Sequence, residues 1–233
     1  MILAVDAGNS NIVLGCMEGL EIRHTLRLKT DRAMSAAGYT VTLQAALAQA
    51  GFSVAGFEGG ILSSVVAAVT EPLRQALSAL LSGPVLVVGK TAKTTLPLCI
   101  DQPETIGADL IAAAEGALAQ YAPPLVLIDM GTATTFSVLD KSGAFLGGAI
   151  APGVQLGAEA LTQRTGLPMT ELSAPQSPLS HSTTDCLRSG VIYGAAAMVD
   201  GMLDRLETAL GTPVTAIATG GLAHCVIPHC RRP

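Results

Sequence analysis

The sequence predicts a duplicated α/β fold, two halves of mixed β-sheet flanked by helices, and three observations carry that prediction. First, Asp6-Ala7-Gly8-Asn9-Ser10 and Asp129-Met130-Gly131-Thr132-Ala133 each end an apolar strand and precede a second strand, 123 residues apart. Self-similarity at a fixed offset points to a duplicated unit. Second, the element signals run β-β-β-α-β-α in both halves. Third, Pro123-Pro124 stands near the middle of the 233 residues, just before an apolar run. It divides a first half, 1–122, from a second, 123–233.

Residues 2–5, 12–17 and 22–28 read as short strands linked by Gly or Asn turns, the last alternating Ile22, His24, Leu26 and Leu28 on one face. Helical signals follow at 36–50 and 71–81, with strands at 61–65 and 85–88. An Ala-rich helix opens near Thr105 and carries Asp109 in its first turn. After Pro124 come strands at 125–128, 134–139 and 145–150, then helices at 155–164 and 183–209. A strand at 214–218 runs through Thr219-Gly220-Gly221 into another helix.

Composition narrows the function classes. A chain of this length buries about 70–75% of its unfolded surface, so a substantial core is available. No apolar run reaches the roughly 18–20 residues of a membrane helix, because Asp109 and Glu115 interrupt the most Ala-rich stretch. The N-terminus lacks a basic region and a cleavage site, which places the chain in the cytoplasm. Five scattered cysteines without a C-x-x-C pair argue against a disulfide framework and read as small buried apolar groups. A net charge of −5, no basic cluster before Arg231-Arg232 and no Trp exclude a nucleic-acid binder. His224, Cys225, His229 and Cys230 lack the paired spacing of a zinc site.

The acidic-glycine turns suit phosphate. Gly8 and Gly131 let the backbone approach an oxyanion and take positive φ, while Asn9, Ser10, Thr132 and Thr134 donate hydrogen bonds. Asp6 and Asp129 would repel bare phosphate, so they require a cation between, as Mg²⁺ is held between nucleotide and carboxylate. Gly220 and Gly221 admit a nucleoside against the backbone. Asp109 follows Gly107-Ala108 at the positive end of a helix, where a carboxylate is suited to accept a proton from an alcohol. Ser182-Thr183-Thr184-Asp185 has the spacing of a capping box.

Together these segments resemble the type III pantothenate kinases, of the acetate and sugar kinase, heat-shock ATPase and actin superfamily. The two acidic-glycine turns are similar to that family's two phosphate motifs, and Ser63-Ser64-Val65-Val66 to a characteristic strand end. The segment 147–153, Thr165-Gly166-Leu167-Pro168, Thr183 ahead of Ser189-Gly190, and Thr219-Gly220-Gly221-Leu222-Ala223 follow in the family's order. The resemblance implies two actin-like (ribonuclease H-like) halves with nucleotide in the cleft between them. It implies a cytoplasmic homodimer that uses ATP, Mg²⁺ and a monovalent cation, K⁺ or NH₄⁺, to phosphorylate pantothenate to 4′-phosphopantothenate in coenzyme A biosynthesis. Asp109 would be the base, Gly107, Ala108 and Thr183 would hold pantothenate, Asp129 would lie by the monovalent cation, and Asp6 would meet Mg²⁺ through the phosphates.

Two positions depart from the family. Leu110 stands where the family has Arg, and an aliphatic side chain cannot replace a planar guanidinium. Arg164 and Arg188 are the candidates to compensate. The chain also stops at Pro233, soon after the last glycine loop, so the second half is expected to be incompletely covered. The alternatives are a same-fold kinase for another small alcohol or sugar, and a catalytically weakened regulatory relative that keeps the nucleotide site.

Overall fold

The first sheet grows from three hairpin-linked strands, β1 (Ile2–Ala7), β2 (Asn11–Glu18) and β3 (Glu21–Lys29). Period-two patterning turns Leu3, Val5 and Ala7 of β1, and Ile12, Leu14 and Cys16 of β2, into one core. The helices α1 (Ala36–Gln49) and α2 (Ala67–Leu80) supply Tyr39, Leu43, Leu47, Val69, Leu73 and Leu77 to the same core. Leu43 is fully buried, and truncating such a side chain to Ala costs about 2–5 kcal/mol. Strand β4 (Gly59–Ser64) pairs parallel with β1, and β5 (Val85–Val87) parallel with β4, giving the order β3-β2-β1-β4-β5.

The computed structural model describes residues 1–168 and 171–232. Helix α3 (Ala108–Leu118) precedes the second sheet, in which β6 (Leu125–Met130), β7 (Ala133–Leu139) and β8 (Phe145–Pro152) form another antiparallel run. After α4 (Val154–Thr165) and α5 (Thr183–Leu210), β9 (Thr215–Thr219) pairs parallel with β6. The order β8-β7-β6-β9 repeats β3-β2-β1-β4, so the duplication predicted from the two turns is a duplication of topology. The repeat extends past the strands. Val66, two residues beyond β4, is the N-cap of α2, and Leu222, three residues beyond β9, is the N-cap of α6 (Ala223–Val226). Val126, Ile128, Met130 and Phe136 form the second core with Ile192, Ala196, Val199 and Leu203 of α5.

The chain divides into two compact units that interleave in sequence: Met1–Thr95 with Glu104–Glu115, and Leu96–Pro103 with Gly116–Pro233. Hydrogen bonds explain why 96–103 joins the second unit. Cys99 N–H donates to Phe145 O and Phe145 N–H to Pro97 O, each at 2.8 Å.

Several elements differ from their sequence reading. Helix α2 starts at Ala67 rather than at residue 71, with Pro72 inside it. Pro72 is the sixth residue of the helix and lacks the N–H that would donate to Ala68 O, yet Thr70 N–H already donates to Val66 O at 3.2 Å, so the helix is under way before the proline. Helix α3 begins at Ala108, after a 3-10 turn at Pro103–Thr105. Of the cysteines only Cys16 is buried; Cys99 and Cys186 are exposed, so the reading of all five as buried apolar groups is corrected. Among the described residues, no helix is long and apolar enough to cross a membrane.

Candidate active site

Strand register determines what surrounds each acidic turn. In the first unit Asp6 lies opposite Ser63 on the parallel strand β4. In the second, Asp129 lies opposite Thr219 on β9, so the duplication pairs each aspartate with a hydroxyl residue. Asp6 reaches solvent, yet the protein around it disfavours its charged form and raises its pKa. The nearby Ser63 hydroxyl offsets part of that rise and the charge of Asp109 adds to it. Ser63 Oγ is buried without a partner of full hydrogen-bond geometry, so this offset is an electrostatic proximity rather than a formed bond. The charge of Asp109, in the same unit, is thus felt at Asp6.

The first turn is fastened by polar contacts. Gly8 N–H donates to Asn11 O at 2.9 Å, closing the loop. The segment after β3 then reaches over it: Thr30 Oγ1 donates to Gly8 O at 2.7 Å and Thr30 N–H to Ser10 O at 3.1 Å. Arg32 Nη2 donates to Asn9 Oδ1 at 2.9 Å. Because a guanidinium only donates, Asn9 must turn its oxygen to Arg32, which leaves its NH₂ group for another acceptor. Thr30 and Arg32 were missed in the sequence, where the one available signal is a polar trio, Thr30-Asp31-Arg32, directly after a strand.

The second turn is fastened by close packing. Gly131 N–H donates to Ala133 O at 3.0 Å, and Gly153 N–H to Thr132 O at 3.2 Å. A Cβ on Gly153 would collide with the carbonyls of Gly131 and Thr132. A Cβ on Gly220 would lie 2.5 Å from both Asp129 Oδ1 and Met130 N. Gly220 alone of these site glycines has a left-handed backbone, φ +97°. The expectation of positive φ at Gly8 and Gly131 is thus corrected: both turns close through ordinary backbone hydrogen bonds, and the left-handed position is at the β9 loop. Gly221 is open, with no atom within 4 Å of an added Cβ. Thr132 is exposed, whereas Thr134 is fully buried on β7 with no hydrogen-bond partner for its Oγ1.

Asp109 stands in the first turn of α3, with Oδ1 accepting from Leu110 N–H at 2.8 Å. A Cβ on Gly107 would meet that same oxygen, so Gly107 is required for the carboxylate's pose. Gly107 and Ala108 line a cleft of about 470 Å³ within the first unit, whose apolar wall includes Val65, Val88, Ile106 and Ile111. That volume suits a small ligand. Thr183 is exposed at the head of α5, just after Ser182, whose Oγ accepts from Asp185 N–H at 3.1 Å as the capping spacing predicts. Arg188 is committed locally: its Nε donates to Ser173 O at 3.0 Å and its Nη1 to Asp185 Oδ1 at 3.2 Å. Arg164 is exposed in the last turn of α4.

These residues fit the groups the sequence implies. Among the described residues no set of three His, Cys, Asp or Glu converges to cage an ion. Mg²⁺ does not need one, since it is commonly held by one or two carboxylates and substrate phosphates. Asp6 offers such a carboxylate in the first unit, and Asp129 another in the second.

Comparison with known proteins gives a family. The profile of the type III pantothenate kinases matches residues 2–205. A type III pantothenate kinase from an Exiguobacterium species is 39% identical over 230 residues, 98% of this chain and 90% of that protein. One from Moorella thermoacetica is 35% identical over 98% of this chain and 91% of its own length. Among solved structures, component A of (R)-2-hydroxyglutaryl-CoA dehydratase from Acidaminococcus fermentans aligns with a TM-score of 0.57 at 13% identity, covering 98% of this chain and 86% of that one. The activator of 2-hydroxyisocaproyl-CoA dehydratase from Clostridium difficile, solved with ADPNP bound, aligns at 0.55 and 12% identity over 96% and 81%. These likenesses show the fold, an α/β fold of the actin-like ATPase class with two mixed sheets flanked by helices.

Proposed function

The chain belongs to the type III pantothenate kinases, phosphotransferases that phosphorylate pantothenate in coenzyme A biosynthesis, and we propose that its two acidic-glycine turns bind ATP while Asp109 serves as the base. The observation that supports this reading is the position of Asp109: at the head of α3, beside the cleft lined by Gly107 and Ala108, and near Asp6.

Asn9, Ser10 and the first-turn backbone would bind phosphate oxygens, with Thr132 doing so from the second turn, which the buried Thr134 follows on β7. Gly220 and Gly221 would receive the nucleoside. Asp109 would accept the proton of the primary hydroxyl of pantothenate as that oxygen bonds to the γ-phosphorus, the bond to the β-phosphate oxygen breaks and ADP leaves. A base of modest strength suffices, because phosphoryl transfer rests chiefly on positioning and charge stabilisation. Mg²⁺, held by Asp6 through the phosphates, would supply charge neutralisation there. Asp129 would hold a monovalent cation, K⁺ or NH₄⁺. Thr183 would contact pantothenate in a homodimer, each half, 1–122 and 123–233, would be one actin-like lobe, and the cytoplasm, where ATP is abundant, would be the site of action.

Asp109→Asn tests the assignment. It keeps the shape of the side chain, so ATP binding by calorimetry should persist while turnover falls about 10²- to 10⁴-fold. Retained turnover would remove Asp109 from the reaction, and loss of circular dichroism would make it a structural residue.

A further inference from the structure

We propose that Lys90 reads the carboxylate of the acceptor and so determines acid specificity in this chain. The inference rests on the assignment of the first-unit cleft to the acceptor. Pantothenate has its reacting hydroxyl at one end and a carboxylate at the other. With the hydroxyl at Asp109, next in sequence to the lining residues Gly107 and Ala108, the carboxylate needs a cation in the cleft, and the neighbouring Leu110 offers none.

Lys90 is the basic residue lining that cleft. Its backbone is well fixed: Lys90 N–H donates to Val87 O at 3.1 Å, Thr91 and Ala92 N–H to the same carbonyl, and Gly89 turns the chain with φ +73°. The tip of this turn is therefore held while the ammonium is uncommitted. Lys90 forms no ion pair with any described residue. Two acids face it. Glu104 lines the same cleft, and Glu71 senses its charge but is already held by Arg74 at 2.6 Å. Glu104 would also repel an acid entering without Lys90, which sharpens the dependence on the lysine. Of the two arginines that could have compensated for Leu110, Arg188 is occupied by Ser173 and Asp185.

The test compares pantothenate with pantothenol, which replaces the carboxylate by an uncharged alcohol and keeps the acceptor hydroxyl. For Lys90→Met, KM for pantothenate should rise roughly tenfold or more with kcat changed by less than about twofold, while the KM for pantothenol stays as in the natural protein. Lys90→Arg should restore most of the loss. Equal KM values for pantothenate in Lys90→Met and the natural protein, or an equal rise for both acceptors, would overturn the proposal. Calorimetric binding of pantothenate to the natural protein separates this failure from a wider one: binding that survives Lys90→Met refutes the lysine alone, and no binding or turnover at all refutes the acceptor assignment with it.

Discussion

The two acidic turns occupy equivalent places in equivalent sheets and are built by different means. Between β1 and β2 the loop spans residues 8–10, and between β6 and β7 it spans 131–132, one residue shorter. The longer loop is held by side-chain hydrogen bonds from Thr30 and Arg32. The shorter loop is held by backbone packed against Gly153 and Gly220 so tightly that a methyl group will not fit. Duplication thus conserved the strand that aims each aspartate and left the support to diverge. The first turn depends on polar partners, which mutations can remove at small cost to the fold. The second depends on missing atoms, and there the fold itself is at stake.

The sharpest way to break this contrast is to put a methyl group on each side of it. Gly220→Ala adds a Cβ to a left-handed residue 2.5 Å from Asp129 Oδ1, and should destabilise the protein by about 2–4 kcal/mol in urea unfolding. Gly8→Ala, whose nearest neighbour would be Asn11 O at 3.3 Å, should change stability by no more than about 1 kcal/mol. Equal losses would mean that both turns are held by packing.

A second effect, on ligand binding, belongs to the first turn. Arg32→Ala should raise KM for ATP about tenfold with unfolding unchanged within about 0.5 kcal/mol, because it frees the Asn9 amide to rotate and removes a cation. Arg32→Lys should recover the charge but only part of the orientation. An Arg32→Ala enzyme with natural ATP kinetics would reduce the contact to surface decoration.

The smallest effect concerns Asp6. Its pKa is raised, first by burial, so its ionised form weakens the folded state at neutral pH. The folded state binds its proton more tightly than the unfolded chain does, so stability falls as pH rises from the ordinary value of 3.8 through the raised one. Asp6→Asn should therefore raise the Tm of the nucleotide-free protein by a degree or so, on the order of the effect of a fraction of a kcal/mol, at pH 7 and give no gain near pH 4. Mg-ATP binding should be lost in the same variant. A lowered Tm at pH 7 would show that Asp6 stabilises its own turn.

Much of this was legible in the sequence for a physical reason. Strands that alternate or run apolar, followed by Asp-x-Gly, carry their meaning locally, so the repeated topology and the aspartates could be located without coordinates. What stayed hidden depends on contacts made far along the chain. Gly220 is left-handed because β9 lies against Asp129, some 90 residues earlier, and Gly153 is obligatory because it packs on Thr132. The strand ends gave no indication that Arg32 would bond Asn9. Conversely, the sequence assigned positive φ to Gly8 and Gly131 from residue type alone, although glycine permits that backbone without requiring it.

The central claim, that this chain transfers phosphate from ATP to pantothenate, is tested most directly by ADP release from Mg-ATP with potassium present, measured with pantothenate, without it, and with a panel of other small alcohols and sugars. Release should require pantothenate and yield 4′-phosphopantothenate. Release driven only by another alcohol, or the same slow release whatever the acceptor, would contradict it.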